Sequence, residues 1–595
     1  MSEQTSGFGS PPRHESVFGP DSRSAGSQKA ALPPRQIAWA VAGVLIVLSM
    51  ARIVATYKVF SQVLDEPAHV ACGMEWLDRR TYTYEVFHPP LARIAVALGP
   101  YLDGLRSGSQ KDMWREGNAI LYARGRYSHN LALARLGVLP FYVLAAVIVW
   151  IWSRRLFGEG AAVVAVLLFT SLPPVLAHAG LATTDMPLTA SLSAALLALT
   201  VWIGQPTRTR TLILGLTVTL AVLSKFSALM FLPACGLTMF VCFWAEGRPD
   251  RSKRLGWRRL VKAVGIVAGM AALLVWAGYR FSLHPLNTLA DRPHATIDRY
   301  FGASGRGHDR AYAVAETLPV PAPEFLVGIG SVVHDARLGR PAYLLGKIRQ
   351  DGWWYFFPVA LGVKSPIPFL LLACMGLMIL LRRGWRSGEW GRLAPGAAAI
   401  VLLLVCLPSR INIGLRHILP IYPLLSIVAG YAALRLWSAG RYRRAARGVV
   451  VGLISWQVIV SALAHPDYLA YFNEVAERHP DRILVDSDLD WGQDLLRLSE
   501  AVRSRGLPSL AIAYFGSADL TRHGLPPSQK LGPYQQATGW IAISEFKLKF
   551  GEYHHPPYKG YEWLEAYQPV ALVGRSIRLY YVPEKADRAA SPRGP

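Results

Sequence analysis

The chain is poor in charge, in acids and in cysteine. Only 17% of its 595 residues are Asp, Glu, Lys or Arg, while 52% are hydrophobic. That balance excludes a soluble enzyme built round one large core and points to a polytopic membrane protein. Acids are scarcer than bases, 39 against 63, which gives a net charge of +24. In a soluble protein such an excess would raise the question of nucleic acid. Here the bases fall mainly in short loops between apolar runs, as in cytoplasmic loops that face anionic headgroups. No basic groove motif is present, and no nucleic-acid partner is expected. The five cysteines, Cys72, Cys235, Cys242, Cys374 and Cys406, show neither metal-ligand spacing nor a disulfide framework. No small-residue cleavage site follows the first apolar run, so that run reads as a retained anchor rather than a signal peptide.

Residues 1–36, rich in Ser, Gly, Pro and Arg, read as a disordered cytoplasmic tail. Hydropathy then gives about eleven spans, at 37–56, 131–152, 160–177, 187–203, 211–224, 226–244, 260–278, 356–381, 394–408, 417–435 and 448–464. Every second loop is basic. The clusters are Arg154 and Arg155; Arg208 and Arg210; Arg248, Arg251, Lys253, Arg254, Arg258 and Arg259; Arg382, Arg383 and Arg386; and Arg441, Arg443, Arg444 and Arg447. That side, which includes the tail, is the cytoplasm. An odd number of spans puts the C-terminus outside. The outer side also carries two long loops, 57–130 and 279–355. Residues 465–595 read as an extracytoplasmic α/β domain of ordinary size. Its expected strands are 482–486, 509–515, 540–546 and 577–582, with a helix over 491–504. The membrane domain is therefore 37–464.

The motifs that carry chemistry cluster near the outer surface. Asp65-Glu66-Pro67-Ala68-His69 follows the first span. An acid pair there reads as a general base at a membrane-surface cleft, or as a helix start with Pro67 in the first turn. His88-Pro89-Pro90-Leu91-Ala92-Arg93 follows, and the prolines would open an amphipathic interfacial helix over 91–102 with Arg93 its one charge. Thr183-Thr184-Asp185-Met186-Pro187 stands before the fourth span. Asp185 reads as a helix cap, with its other oxygen free to face a cavity. Lys225, in Leu223-Ser224-Lys225-Phe226-Ser227, interrupts an apolar region. It is either snorkelling at a tight turn or paired with an anion. Ser409-Arg410-Ile411-Asn412-Ile413-Gly414-Leu415-Arg416-His417 sets two Arg, a His and an Asn in one outer turn, enough to grip a phosphate bidentately or to anchor the interface. In Asp486-Ser487-Asp488-Leu489-Asp490-Trp491-Gly492-Gln493-Asp494 the acids match a calcium loop poorly. Asp490 with Gln493 reads as a cap with its capping-box partner, and Trp491 stays open as a surface on which a saccharide stacks.

Taken together, Asp65-Glu66, His88-Pro89-Pro90-Leu91, Thr184-Asp185-Met186-Pro187 and Lys225 resemble the GT-C glycosyltransferases of the protein O-mannosyltransferase and aminoarabinose-transferase kind. The resemblance covers roughly residues 37–235. The 410–423 and 485–493 segments look like a bacterial branch with an appended outer domain. Arg93 stands where the mannosyltransferases usually carry Lys. The resemblance implies a GT-C membrane fold and inverting transfer of a sugar from a polyprenyl-phosphate donor, at the outer face of the inner membrane. The acceptor would be a hydroxyl of a glycan, lipid or protein, and no cofactor or metal would be required. It assigns catalysis to Asp65 and Glu66. Donor phosphate would be held by Arg93, Lys225 and Arg416, with His417 and Arg410 behind them. His88, Asp185 and His69 would orient the acceptor or a cation. A transporter or lipid flippase is the alternative, but no inverted repeat is visible and the non-membrane mass lies on one side.

Overall fold

The structure, a computed structural model, describes residues 35–246, 256–286, 297–298, 302, 304–440, 442–553 and 555–584. The tail up to residue 34 lies outside them, as do Arg248, Arg251, Lys253, Arg254 and Arg441 of the basic clusters.

Helices occupy all eleven apolar stretches. Seven helical runs among the described residues are long and apolar enough to cross a membrane: Arg35–Lys58, Tyr127–Phe157, Asp185–Gly204, Ala228–Ala245, Trp257–Gly278, Ile367–Ser387 and Arg443–Leu463. An eighth is broken: Glu159–Thr170 and Pro173–Ala179 meet at a bend of 66°. The cause is the Pro173-Pro174 pair, which cannot supply the N–H groups that continue a helix. Proline also divides the span read at 356–381. Pro366 has no N–H, and Ser365 before it is extended. The result is a short helix, Phe356–Lys364, followed by the crossing helix Ile367–Ser387. The remaining apolar helices, Arg208–Ser224, Ala394–Cys406 and Ile421–Trp437, are shorter.

Asp185–Gly204 lies at the centre, with 89% of its most apolar stretch inside the protein, against 6% for Trp257–Gly278. Its small residues explain the position. Ala, Ser and Thr let neighbouring helices approach closely, and three of its hydroxyls bond the helix's own carbonyls, Thr189 that of Asp185 (2.8 Å), Ser191 that of Pro187 (2.6 Å) and Thr200 that of Leu196 (3.0 Å). Ser191 Oγ also donates to Ser224 Oγ (3.2 Å), so the end of the Arg208–Ser224 helix stands beside the start of the Asp185 helix.

The two long loops and the C-terminal region touch one another, which puts all three on one side of the bundle. Asn118 Nδ2 donates to the Ser517 carbonyl (2.7 Å) and the Leu345 N–H to that of Ile483 (3.0 Å). In the C-terminal region a five-stranded sheet runs in the order Ser528–Lys530, Leu510–Ala513, Gly539–Ser544, Ile577–Val582, Ala571–Val573. The first three strands are parallel, and the last two pair antiparallel. Alternation of side chains gives it two apolar faces. Leu510, Ile512, Ala542 and Leu579 meet the helix Leu495–Ser504, while Ala511, Ile541, Ile543 and Tyr580 meet Leu531 and Leu564. The strand expected at 482–486 does not form. The N–H groups of Arg482, Ile483 and Leu484 turn back to the carbonyls of His479 (3.1 Å) and Pro480 (2.9 and 3.1 Å), while the stretch before them bonds the membrane bundle. The Asn473 N–H donates to the Val363 carbonyl (2.8 Å), and Asn473 Nδ2 to those of Gly362 (2.6 Å) and Ser365 (2.9 Å).

Shared contacts and the basic-loop rule together fix an expected topology. A phosphatase fused after Ala464 should be active in cells and a fluorescent protein fused there should be dark. The opposite pattern would place loops and C-terminal region in the cytoplasm.

Candidate active site

The Asp65-Glu66 pair divides into two roles. Glu66 is fully buried and has no oxygen to spare. Its Oε1 accepts from Arg135 Nε (2.8 Å) and the Ala182 N–H (2.8 Å), and its Oε2 from Arg135 Nη2 (2.9 Å) and the Val63 N–H (2.8 Å). Arg135 also donates to the carbonyls of Phe60 (3.1 Å) and Ser61 (2.8 Å). A bidentate pair with every lone pair satisfied is a clamp. It ties the 60–66 strand of loop to the turn before Asp185 and to the second span. The catalytic reading of Glu66 does not fit this geometry.

Asp65 occupies the cap position of the helix Glu66–Met74, with Pro67 in its first turn, yet its side chain makes no capping bond. Oδ2 instead accepts from Arg416 Nη1 at 2.7 Å, and the side chain keeps 26% of its surface open. Asp185 also departs from the cap reading. Thr184 is the cap, Asp185 is the first helical residue, and its Oδ1 accepts from Lys225 Nζ at 2.6 Å. Its Oδ2 lies 3.9 Å from Arg416 Nη1 and has no hydrogen-bond partner. Lys225 reaches it because the chain leaves the helix Arg208–Ser224 in an extended conformation at that residue (φ −163°, ψ 140°). Two carboxylates and two cations thus form one cluster on the loop side of the bundle.

Arg416 sits on the turn Leu415–Ile418. Its Nε is buried without a hydrogen-bond partner, and its guanidinium carbon lies 4.2 Å from the centre of the Trp491 ring. The turn is held by the C-terminal segment. Asp488 Oδ1 accepts the Leu415 N–H (3.0 Å), and Ser487 Oγ donates to the Ile413 carbonyl (2.5 Å). Gly414 (φ +151°) is needed here, since a Cβ would stand 2.1 Å from Ser487 Oγ. The same segment grips the approach to Asp65. The Leu64 N–H donates to the Trp491 carbonyl (2.9 Å), and Ser61 Oγ to those of Gly492 (3.0 Å) and Gln493 (2.8 Å). The capping box read at Asp490 and Gln493 is absent. The helix begins only at Leu495, and the Asp490 carboxyl accepts the Phe546 N–H (2.7 Å). Trp491 is 1% exposed and carries Arg416, so its ring offers no face to a saccharide. Burial pushes the Asp486 carboxyl up to about 7, opposed by Arg416 and helped by Asp65.

The His-Pro-Pro turn starts the helix Pro90–Leu102, as expected, but Arg93 points inward rather than to the interface. It forms an ion pair with Glu85 and donates to Tyr82 Oη (2.9 Å), the Glu85 carbonyl (2.7 Å) and His69 Nδ1 (3.2 Å). These partners consume it, so the phosphate role read for Arg93 does not fit. It organises the turn. His69 and His88 meet edge to face at 5.3 Å. Burial, with Arg93 beside it, holds His69 well below the usual imidazole range, and burial, with Lys225 beside it, holds His88 down to about 4. His417 stands on the same turn as Arg416, its ring tilted 6.3 Å from that of Phe357. Arg410 does not reach the cluster. It is 54% exposed, 3.7 Å from Asp351, and donates to the Arg337 carbonyl (3.2 Å).

Sequence reasoning passed over Glu85 and Arg135, and it weighed Asp486 only as one acid of a calcium-loop candidate. Arg135 had a signal, being a lone charge within the apolar run 131–152, where a buried acid partner is required. Among the described residues no three His, Cys, Asp or Glu side chains converge to hold a metal.

Residues 128–278 match the family model described as dolichyl-phosphate-mannose-protein mannosyltransferase. No curated protein matches the chain in sequence. In structure it is similar to the Saccharomyces cerevisiae protein O-mannosyltransferase Pmt1-Pmt2 complex bound to the sugar donor (11% identity, TM-score 0.51, covering 77% of this chain and 96% of that one). It is also similar to ArnT from Cupriavidus metallidurans bound to undecaprenyl phosphate (14%, 0.46, 92% and 99%) and to the Archaeoglobus fulgidus oligosaccharyltransferase AglB with an inhibitory peptide and a dolichol-phosphate (13%, 0.49, 94% and 75%).

The divided acid pair has a direct consequence. Removing one partner of a buried, fully bonded pair costs about 3–5 kcal/mol. Glu66→Gln and Arg135→Met should therefore each lower Tm sharply in detergent, while Asp65→Asn should leave Tm near that of the parent. Equal melting of all three would show that Glu66 is no clamp.

Proposed function

We propose that this chain, a membrane protein of the GT-C glycosyltransferase superfamily, transfers a sugar from a polyprenyl-phosphate donor to an acceptor hydroxyl, with inversion, on the extracytoplasmic face. The observation that carries the reading is the Asp65–Arg416–Asp185–Lys225 cluster. The partly open Asp65 carboxylate stands against Arg416, the buried Asp185 stands near both Arg416 and Lys225, and Arg416 keeps an unpartnered N–H. A carboxylate of that kind takes a proton, and cations so placed hold an anionic leaving group. The yeast complex of similar fold was solved with its sugar donor, and the matching family model carries a dolichyl-phosphate sugar in its name.

The steps follow from the atoms. Arg416 and Lys225 take the phosphodiester of the donor at a depth where water cannot balance its charge. Their present partners, Asp65 and Asp185, keep both cations placed and desolvated before it arrives. Asp65 accepts the proton of the acceptor hydroxyl while that oxygen bonds to the anomeric carbon from the face opposite the phosphate. The bond from that carbon to the phosphate oxygen breaks, and the polyprenyl phosphate leaves with the electron pair. The largest electrostatic contribution falls on that oxygen, which faces Arg416 and Lys225. Asp185 stays on Lys225 throughout and orients it. The neutral imidazoles of His69 and His88 border the acceptor side and add no charge that would compete for phosphate.

Asp65→Asn cannot accept the proton, and loss of a general base costs about 10²–10⁴ in rate. Turnover of a polyprenyl-phosphate sugar by the purified protein should fall at least about a hundredfold while donor binding survives. Near-normal turnover would leave Asp65 a purely structural partner of Arg416. Arg416→Ala and Lys225→Ala should each weaken donor binding. Arg416→Lys should also be impaired, because an ammonium cannot bond phosphate and carboxylate along two edges.

A pH dependence follows from Asp486. Its carboxyl is neutral below about 7 and ionised above it. The ionised form adds a third carboxylate around Arg416 and competes with phosphate, so donor affinity should fall as pH rises through 7. Asp486→Asn should flatten that dependence. An unchanged slope in the variant would assign the titration to another group.

A further inference from the structure

Trp491, in the C-terminal segment, meets both halves of the site. Its carbonyl accepts the N–H of Leu64, the neighbour of Asp65, at 2.9 Å, and its ring lies 4.2 Å beneath the Arg416 guanidinium. The ring is almost completely buried, and its own backbone is held by Gln493, whose Oε1 accepts the Trp491 N–H at 2.9 Å. A guanidinium is flat. A ring against its face attracts the charge and leaves the N–H edge free to bond in the plane. The edge is only partly used: Nη1 bonds Asp65, Nε bonds nothing, and Asp185 Oδ2 waits 3.9 Å from Nη1.

We infer that Trp491 is a positioning residue for Arg416, fixing the plane of the guanidinium so that one edge bonds Asp65 and the other stays open to the donor phosphate. This rests on Arg416 being a phosphate-binding cation. Without the ring face, the guanidinium is free to turn into the two carboxylates, Asp65 and Asp185. Both its edges would then be spent on acids. The donor would have to break two ion pairs rather than share one, and its affinity would fall while the chemistry after binding stayed intact. The C-terminal region thereby becomes part of the membrane active site.

The test compares Trp491→Leu, Trp491→Phe and Arg416→Ala in purified full-length protein, using undecaprenyl phosphate as the binding probe and a polyprenyl-phosphate sugar as the kinetic one. Both Trp491 variants keep the backbone bond to Leu64. Trp491→Leu should raise the donor Kd and KM roughly tenfold, the order of a desolvated cation–ring contact, with much less change in kcat. Trp491→Phe should restore most of the affinity. A second measurement does not depend on the variants folding. Tryptophans carrying one to four fluorines, placed at position 491 by nonsense suppression, keep the ring's shape and drain its negative face. Donor affinity should then fall stepwise with fluorine number. A flat series, with Arg416→Ala still weakened, overturns the role of Trp491 alone. Parent-like donor binding by Arg416→Ala overturns the phosphate reading of Arg416 and this inference with it.

Discussion

Four charged side chains, from four distant stretches of sequence, neutralise one another at the loop end of a helix bundle. Asp185, Lys225 and Arg416 are held there by opposite charge, and the partly open Asp65 gives Arg416 its second acidic neighbour. The surrounding structure is arranged round that constraint. The Glu66–Arg135 clamp fixes the loop before Asp65 and the turn before Asp185. The Ser191–Ser224 contact brings the end of one helix to the start of another and so delivers Lys225 to Asp185. The Asp486–Gln493 segment braces both Arg416 and the approach to Asp65.

The outer loops and the C-terminal region are not appendages to this arrangement. Lys364, buried where Pro366 breaks a span, donates to the carbonyls of Leu469 (2.7 Å) and Asp488 (2.5 Å). A desolvated ammonium that bonds two carbonyls is expensive unless the segment it holds must stay put. That segment is the one leading into the brace on Arg416. The sheet beyond it packs on its own two apolar cores, and Tyr514 and Ser517 from its margin bond the Gly492 and Val63 carbonyls beside the cluster.

Much of the membrane fold was legible because hydropathy reports burial directly. Each apolar stretch is a helix, and the His-Pro-Pro turn opens a helix where the prolines allow it. What hydropathy missed were breaks within apolar runs, at Pro173-Pro174 and Pro366, where composition stays greasy while the backbone loses a donor. The site was half legible. Asp65, Asp185, Lys225 and Arg416 stand together, as charges at the edges of apolar runs suggested. Glu66, Arg93 and Arg410 do not join them, because a sequence shows where a charge sits but not which partner consumes it. Glu66 is taken by Arg135 and Arg93 by Glu85, neither of them close in sequence enough to announce a cap. The strand read at 482–486 failed for a different reason: its N–H groups turn back to the carbonyls of His479 and Pro480 and the Ile483 carbonyl takes the Leu345 N–H of the second long loop, so no sheet partner is left to it.

Central to the account is that Arg416 is shared between Asp65 and the donor phosphate. The affinity of the Asp65→Asn variant for undecaprenyl phosphate, set beside that of the parent, tests it most directly. Neutralising Asp65 removes the carboxylate that competes for Arg416, so the account predicts that the variant binds the lipid phosphate more tightly than the parent although its turnover is at least about a hundredfold lower. Binding that weakens in Asp65→Asn to the level of Arg416→Ala would contradict it.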